Sequence, residues 1–386
     1  MKLNLLALTI ILLVSVFSQT HLYPSITWEK TVIDEDNTMT GGIAIGRPYI
    51  GIIPSNDNYL YCASLNIDRN LVEYSFENNQ WNKNIVLSDM NLDGIIIASG
   101  RNDNYERIYA IQGKKIYEVW CSFGVWFSNL IFETTDAQIN YLIVGDGRND
   151  GINRVYLSSK NHTIYELTFT GPGQNDWDVE TINQDMYCED IGLGKNDSIN
   201  RIYGVGGNDE WTIYELTYNP IYEIWEKEEV YSYIWETPFT YPSTCWGVSI
   251  GKTRIEDDLY RIYYLDVDGD INELFWNGNS WENTCINVFS TTDEYGYGFS
   301  IQQWGKPFAF GEFCNNEPPT RMIFINGINS LYYFIYKSGN WERIIIEEIG
   351  LPATYMDLEF GCARNSGYPA LYSLTLGYSI TEFYPE

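Results

Sequence analysis

The chain is poor in histidine and in basic residues. Of its 386 residues, 2 are histidine and 23 are lysine or arginine, against 52 acidic residues. The formal net charge of −29 repels phosphate backbones, which argues against nucleic acid as a partner. Two histidines leave little basis for histidine-dependent catalysis or a histidine-rich metal site. Since no P-loop, dinucleotide-binding fingerprint or zinc-protease motif occurs either, we predict no cofactor and no metal.

Long apolar runs are also scarce, and the only one stands at the N-terminus. Residues 5–17 are almost entirely apolar and follow Lys2, as in a secretory signal peptide that is cleaved before Gln19. A membrane anchor is the alternative, but the run is short for a span. We therefore predict a signal peptide over 1–18 and a secreted, extracellular chain over 19–386 with no membrane span.

Two further features of the sequence are relevant if the chain is exported. Asn161-His-Thr163 and Asn196-Asp-Ser198 are N-glycosylation sequons, relevant in a eukaryotic secretory pathway. The seven cysteines form no CxxC pair, and in an exported chain they predict disulfides, the alternative being buried small apolar side chains. They are Cys62, Cys121, Cys188, Cys245, Cys285, Cys314 and Cys362.

The chain contains an internal repeat. Three segments beginning at Gly100, Gly147 and Gly194 each run from Gly-[Arg/Lys]-Asn-Asp to Arg-[Ile/Val]-Tyr and then to Ile-Tyr-Glu. A weaker copy begins at Gly251, and degenerate copies lie on both sides. Six of the seven copies then reach a tryptophan, and these are Trp81, Trp126, Trp177, Trp225, Trp281 and Trp341.

This repeat predicts a propeller. Polar residues alternate with β-branched and aromatic ones, as in strands, and clusters of Gly, Asn and Asp separate the runs. The repeat tryptophans are 45 to 60 residues apart, which suits four-stranded blades. We predict an all-β, seven-bladed β-propeller, with six blades as the alternative. The last copy lacks its tryptophan, and residues 26–33 around Trp28 resemble the missing strand, so we expect an N-terminal strand to complete the last blade and close the ring.

Four copies pair an arginine with a glutamate about a dozen residues later. This pattern, followed by an aromatic and a Trp, resembles the blades of Aleuria-type fucose-binding lectins. The resemblance implies that the Arg, the Glu and nearby aromatic rings hold a sugar between blades. A cross-strand ion pair is the structural alternative. The pairs are Arg107/Glu118, Arg154/Glu166, Arg201/Glu215 and Arg261/Glu273, while the degenerate copies have Tyr59/Glu73, Arg321/Tyr333 and Ala370/Glu382.

Two acidic features could bind a cation. The loop aspartates Asp103, Asp150 and Asp197 suit tight turns, but they could also surround a ligand. The segment from Asp266 to Asn272 resembles a calcium loop, but it lacks the required Gly and aligns with a hairpin turn in the other copies.

Taken together, these patterns predict a secreted, non-catalytic, carbohydrate-binding propeller. Its partners would be glycans, bound in clefts between blades. An extracellular protein-interaction scaffold is the main alternative. A glycoside-active enzyme is a third, since two suitably spaced carboxylates suffice for that chemistry, but in a chain with 52 acidic residues this condition carries no information.

Overall fold

The computed structural model describes most of the repeat region. It covers residues 27–35, 39–51, 58–64, 69–206, 212–232, 246–266, 270–287, 308–313, 320–326, 330–348, 355–364, 369–375 and 379–385. The predicted signal peptide, Cys245 and Cys314 lie outside these residues.

The described residues form strands and turns. The strands of the first half are β1 (Trp28–Asp34), β2 (Met39–Gly46), β3 (Tyr49–Ile50), β4 (Tyr59–Ser64), β5 (Leu71–Glu77), β6 (Gln80–Leu87), β7 (Gly94–Ala98), β8 (Arg107–Gln112), β9 (Lys115–Ser122), β10 (Val125–Glu133), β11 (Ile139–Gly145), β12 (Arg154–Ser159), β13 (Thr163–Phe169) and β14 (Trp177–Gln184). Those of the second half are β15 (Asp190–Gly192), β16 (Arg201–Gly206), β17 (Thr212–Asn219), β18 (Ile224–Ser232), β19 (Trp246–Gly251), β20 (Arg261–Leu265), β21 (Ile271–Trp276), β22 (Trp281–Asn287), β23 (Phe308–Phe313), β24 (Thr320–Asn326), β25 (Ser330–Lys337), β26 (Asn340–Glu348), β27 (Tyr355–Gly361), β28 (Ala370–Thr375) and β29 (Ser379–Pro385).

These strands build seven sheets, one for each repeat, in which neighbouring strands are antiparallel except that the short β3 pairs in parallel with β9. The sheets are β2-β4-β5-β6, β7-β8-β9-β10, β11-β12-β13-β14, β15-β16-β17-β18, β19-β20-β21-β22, β23-β24-β25-β26 and β27-β28-β29-β1, here called blades 1 to 7. The first strand of each blade contacts the first strand of the next, and β27 contacts β2, so the sheets form a ring. The prediction of a seven-bladed propeller is confirmed, and the six-bladed alternative is wrong.

The ring closes through the N-terminus, as predicted. Strand β1 pairs antiparallel with β29, with Trp28 opposite Pro385 and Val32 opposite Thr381. The outer strand of blade 7 therefore comes from the start of the chain, while its other three strands come from the end. This arrangement leaves β29 paired on both sides and removes an open sheet edge at the junction.

The core lies between blades. The second and third strands bury residues on both faces, because each blade packs against a neighbour on either side. At every junction an aromatic residue of the second strand meets, edge to face, a tryptophan of the following blade, an arrangement that aromatic quadrupoles favour. With ring centroids 5.8 to 6.4 Å apart, the pairs are Tyr61–Trp126, Tyr109–Trp177, Tyr156–Trp225, Tyr203–Trp281, Tyr263–Trp341, Phe324–Trp28 and Tyr372–Trp81.

The described cysteines do not cross-link the blades. No disulfide joins any two of Cys62, Cys121, Cys188, Cys285 and Cys362, and the first three are buried. The structure therefore gives no support to the expected disulfides. The described residues include no helix long and apolar enough to cross a membrane.

Candidate functional site

The structure brings all four predicted Arg/Glu pairs together. In each, an arginine at the start of the second strand lies beside a glutamate of the third strand, with Nε 3.3 to 3.7 Å from Oε1. The arginine side chains are 2 to 7% exposed and the glutamate side chains 0 to 2%. The strand arginines are Arg107, Arg154, Arg201 and Arg261, and the cleft glutamates are Glu118, Glu166, Glu215 and Glu273. Both groups are therefore almost inaccessible to solvent.

The main partner of each strand arginine is an aspartate four residues earlier. In blade 3, the guanidinium of Arg154 donates from Nη1 to Oδ1 of Asp150 at 2.9 Å and from Nη2 to Oδ2 at 2.7 Å. The corresponding aspartates are Asp103, Asp197 and Asp257. The loop aspartates predicted to form turns or surround a ligand thus each hold their own strand arginine.

A second cation, which the sequence interpretation missed, binds each cleft glutamate more closely. In blade 2, Arg101 donates from Nε to Oε1 of Glu118 at 2.7 Å, and its guanidinium lies 4.3 Å from the ring centroid of Phe169 in blade 3. These loop cations are Arg101, Arg148, Lys195 and Arg254, and the last three lie 3.8 to 4.8 Å from the rings of Tyr218, Trp276 and Tyr336 in the next blade. For Arg101, Arg148 and Lys195 the signal was the Arg or Lys directly after the loop glycine, whereas Arg254 follows Thr253 and lacks that signal.

Each of these four junctions is therefore closed by a cluster of four charged groups, and in two of them an exposed carboxylate, Glu180 or Glu228, also pairs with the loop cation. The loop cation and the strand arginine carry two positive charges, and the aspartate and the cleft glutamate carry two negative ones. Burial raises the pKa of the Glu166, Glu215 and Glu273 carboxyls, and the adjacent cations offset only part of that effect. A sugar could reach a cleft glutamate here only by displacing the loop cation that lies over it.

The remaining residues of the Gly-[Arg/Lys]-Asn-Asp loop tie neighbouring blades together. Asn149 adopts a φ of 60°, donates from Nδ2 to the Asn200 carbonyl at 3.1 Å and accepts from the Asn200 amide at 2.6 Å. Asn102 and Asn196 make the same two bonds at their own junctions. Gly147 leaves room for Tyr156, whose hydroxyl would lie 2.6 Å from an added Cβ. All four positions of the loop are thus accounted for by contacts within the protein.

The ion pair between Arg154 and Asp150 should make the stability of the fold depend on pH. The hydrogen bond from Arg154 lowers the pKa of Asp150 below its usual value, so the pair stabilises the fold above about pH 4 and the contribution is lost as pH falls through the lowered value. Asp150→Asn should therefore lower the urea midpoint at pH 7, and the difference from wild type should shrink towards pH 3.

The control for this experiment is Asp178→Asn, an exposed position on β14 of the same blade. It should behave like wild type at both pH values. A deficit in Asp150→Asn that stays constant between pH 7 and pH 3 would contradict the assignment.

Two junctions depart from this pattern. Between blades 1 and 2, Glu73 accepts hydrogen bonds from the hydroxyls of Tyr49 at 2.7 Å and Tyr61 at 2.6 Å. Between blades 6 and 7, Tyr333 takes the glutamate position and packs against Trp28. Arg321 does not join Tyr333 at this junction: it pairs with Glu312 of its own blade at 2.9 Å and, across the junction between blades 5 and 6, with Asp258 at 2.7 Å. These two junctions are accordingly structural ties of different composition.

The junction between blades 7 and 1 differs from the others in its described residues, which end at Arg364 in the loop and resume at residue 369. Ala370 replaces the strand arginine, while Arg364 holds the loop-cation position, pairs with Glu382 and lies 4.3 Å from the ring centroid of Phe76. The Arg364 side chain is 21% exposed, compared with 8 to 17% for the loop cations of the four closed junctions. A cleft of about 790 Å³ opens here, lined by Thr31, Val32, Ile33, Phe76, Asn79, Gln80, Trp81, Arg364 and Tyr384. We call it the closure cleft, since β1 forms one of its walls.

The calcium-like segment is only partly described. Asp266 and Asp270 face each other at the base of the β20–β21 hairpin, where the Asp266 amide donates to the Asp270 carbonyl at 3.0 Å. The Asp270 amide in turn donates to Oδ1 of Asp266 at 2.9 Å. Residues 267–269 lie outside the described residues. The hairpin position expected from the repeat alignment agrees with these contacts.

Comparison with known proteins adds a relative that matches part of this chain in sequence. Over 143 residues the chain is 28% identical to a fucose-specific lectin of Aleuria aurantia, a match covering 36% of this chain and 41% of the lectin. The predicted resemblance to Aleuria-type lectin blades is confirmed. The match spans well under two thirds of the lectin's length. No protein-family model matches the chain.

Similarity to solved structures supports the fold alone, and only where the TM-score exceeds 0.5. The crystal structure of BBS1N in complex with ARL6DN aligns with a TM-score of 0.54 at 12% identity, covering 92% of this chain and 97% of that chain. AofleA from Arthrobotrys oligospora superposes more loosely, with a TM-score of 0.42 at 18% identity and coverage of 84% and 91%.

Proposed function

We propose that this protein is a secreted, non-catalytic carbohydrate-binding propeller whose principal site is the closure cleft. The observation that carries the proposal is the open cleft itself, which combines a partly exposed guanidinium with several aromatic rings. Similarity to a fucose-specific lectin supports a sugar as the ligand. The apolar face of a pyranose would stack on Trp81 or Tyr384, and Arg364 would donate hydrogen bonds to sugar hydroxyls.

Glu382 has a supporting role in this site. Its side chain is 0% exposed, and it accepts hydrogen bonds from Arg364 and, at 2.9 Å, from the hydroxyl of Tyr372. It therefore positions the guanidinium rather than touching the ligand. In the closed junctions, the predicted pairs such as Arg154 with Glu166 would bind sugar only if the loop cation moved out, so they are secondary sites in this proposal.

Binding stoichiometry and two matched variants test this assignment. Titration calorimetry with the best ligand from a glycan array should give one site per chain if only the closure cleft binds, and up to five if the four closed junctions also open. Arg364→Ala should weaken binding by about 10- to 100-fold, since it removes charge-assisted hydrogen bonds worth about 1.5–3 kcal/mol. Arg148→Ala changes a loop cation in a closed junction and should not weaken binding.

Four results would count against the proposal. An array without hits, or unchanged affinity in Arg364→Ala, would exclude the closure cleft as a sugar site. Loss of binding in Arg148→Ala but not in Arg364→Ala would move the site to the closed junctions. Conversion of the bound glycan to shorter products would contradict a non-catalytic role.

A second candidate, a protein-interaction scaffold, is favoured by exposed apolar side chains at two hairpin tips. Phe123 is 77% exposed, and Ile221 and Tyr222 are 83% and 70% exposed. Apolar groups of this size in solvent often mark contact surfaces. If this candidate is correct, the purified protein should bind no glycan on an array. Replacing Ile221 and Tyr222 with serine should leave its stability unchanged.

A further inference from the structure

The two glycosylation sequons lie in very different environments. Asn161 belongs to the turn between β12 and β13 and is exposed to solvent. Its side-chain oxygen accepts a hydrogen bond from Ser159, whereas no described residue accepts one from Nδ2. The following residue, His162, has a φ of 62° and fixes the turn through its amide, which donates to the Ser159 carbonyl at 2.9 Å. The nitrogen that would carry a glycan is therefore presented on a defined, accessible turn.

Asn196 occupies the inter-blade tie between blades 4 and 5. Its Nδ2 donates to the Tyr260 carbonyl at 3.0 Å, and its Oδ1 accepts from the Tyr260 amide at 2.7 Å. A glycan on Nδ2 would have to occupy the junction where these two bonds join the blades. The repeat supplies an internal reference, because Asn102 and Asn149 make the same pair of bonds without being part of a sequon.

From this contrast we propose that Asn161 is an N-glycosylation site of the folded protein and that Asn196 is left unmodified. Nδ2 of Asn161 forms a bond to C1 of an oligosaccharide while the C1–O bond to a lipid-linked pyrophosphate donor breaks. The pyrophosphate leaves with the bonding electrons, and the amide loses one proton to base. The transfer takes place in a secretory compartment that supplies this donor, so it requires export of the chain.

The position of Asn161 keeps such a glycan away from the candidate sugar sites. Strand β12 runs from Arg154, beside the loop cluster, to Ser159, next to the turn. Six residues of strand at about 3.3 Å each place the turn roughly 20 Å from the loop end of the blade. A glycan at Asn161 therefore projects from the opposite end of the blades and leaves the closure cleft unobstructed.

Site-resolved mass spectrometry of the secreted full-length chain tests this directly. The chain would be expressed in a yeast secretory host and treated with peptide N-glycosidase in heavy-oxygen water, which marks each formerly glycosylated asparagine. Trypsin cleaves after Lys160, Lys195 and Arg201, so the two sequons fall on separate peptides. We expect the label on Asn161 and none on Asn196. Retained intracellular protein would be analysed in the same way.

Two variants serve as controls. Asn161→Gln should abolish the mobility shift on glycosidase treatment, whereas Ser198→Ala removes the other sequon without touching Asn196 and should leave the shift unchanged. The wild-type peptide measurement remains decisive if Asn161→Gln is poorly produced. A label on Asn196 in folded protein, or an unlabelled Asn161 in glycosylation-competent cells, would overturn the proposal.

Discussion

Trp28→Ala is expected to lower the free energy of unfolding by about 3 kcal/mol, although Trp28 stands at the very start of the described chain. Its ring meets Phe324 and Tyr333 of blade 6 edge to face, each with a centroid distance of 5.8 Å. It fills the position that a tryptophan of the next blade fills at every other junction. Because β1 also completes blade 7, losing this anchor weakens packing between blades 6 and 7 and the closure of the ring together.

A variant at a second position on β1 distinguishes loss of the Trp28 ring contacts from a general effect of mutating the strand. Val32 is 43% exposed, so Val32→Ala should change stability by no more than about 1 kcal/mol. Urea unfolding followed by far-ultraviolet circular dichroism avoids the change in fluorescence that removal of a tryptophan brings. Equal destabilisation by the two variants would show that the strand pairing, and not the Trp28 ring, holds the junction.

The fold could be predicted from the sequence because the same blade pattern occurs in several copies. The copies carry the same alternation of strand residues, and six of the seven end in a tryptophan. The absence of a tryptophan from the last copy pointed to the segment around Trp28. Strand pairing within a blade depends on residues close in the sequence, so one copy is enough to predict it. Closure of the ring could be predicted from the number of copies and from the strand around Trp28, which belongs to the last blade but stands at the start of the chain.

The site was predicted less completely because its decisive contacts cross between blades. The pairing of Arg107 with Glu118 follows from register within one blade, and it was found. The position of Arg101 over Phe169 depends on the next blade, which a pattern within one copy does not contain. The closure cleft was missed for a related reason, since its lining comes from blade 7, from blade 1 and from the N-terminal strand, which one copy of the repeat does not bring together.

The loop asparagines also make contacts that a single copy of the repeat does not predict. They are Asn102, Asn149 and Asn196. Their residue type and spacing suggested turns, and they do occupy turns with positive φ. Their amides, however, bond the backbone of the following blade, which no local rule for turns anticipates. The repeat therefore encodes both the blade and its attachment, and only the first can be read from a single copy.

Arg101→Met is expected to be the most destabilising change within a closed junction, by about 3 kcal/mol at pH 7. Arg101 is 8% exposed and Glu118 is 0% exposed, so the carboxylate cannot turn to solvent when its closest cation is removed. What remains is Arg107, with Nε 3.4 Å away, and the hydroxyl of Tyr109 at 3.3 Å. Breaking a buried ion pair on one side costs several kcal/mol because the remaining charge lacks full compensation, while methionine keeps most of the packing against Phe169.

The double variant Arg101→Met with Glu118→Gln decides whether the buried charge is the cause. Replacing both partners removes the uncompensated carboxylate, so urea unfolding should show most of the lost stability restored. If the double variant is no more stable than the single one at pH 7, lost packing of Arg101 between Trp120 and Phe169, not the charge of Glu118, sets the stability of the junction.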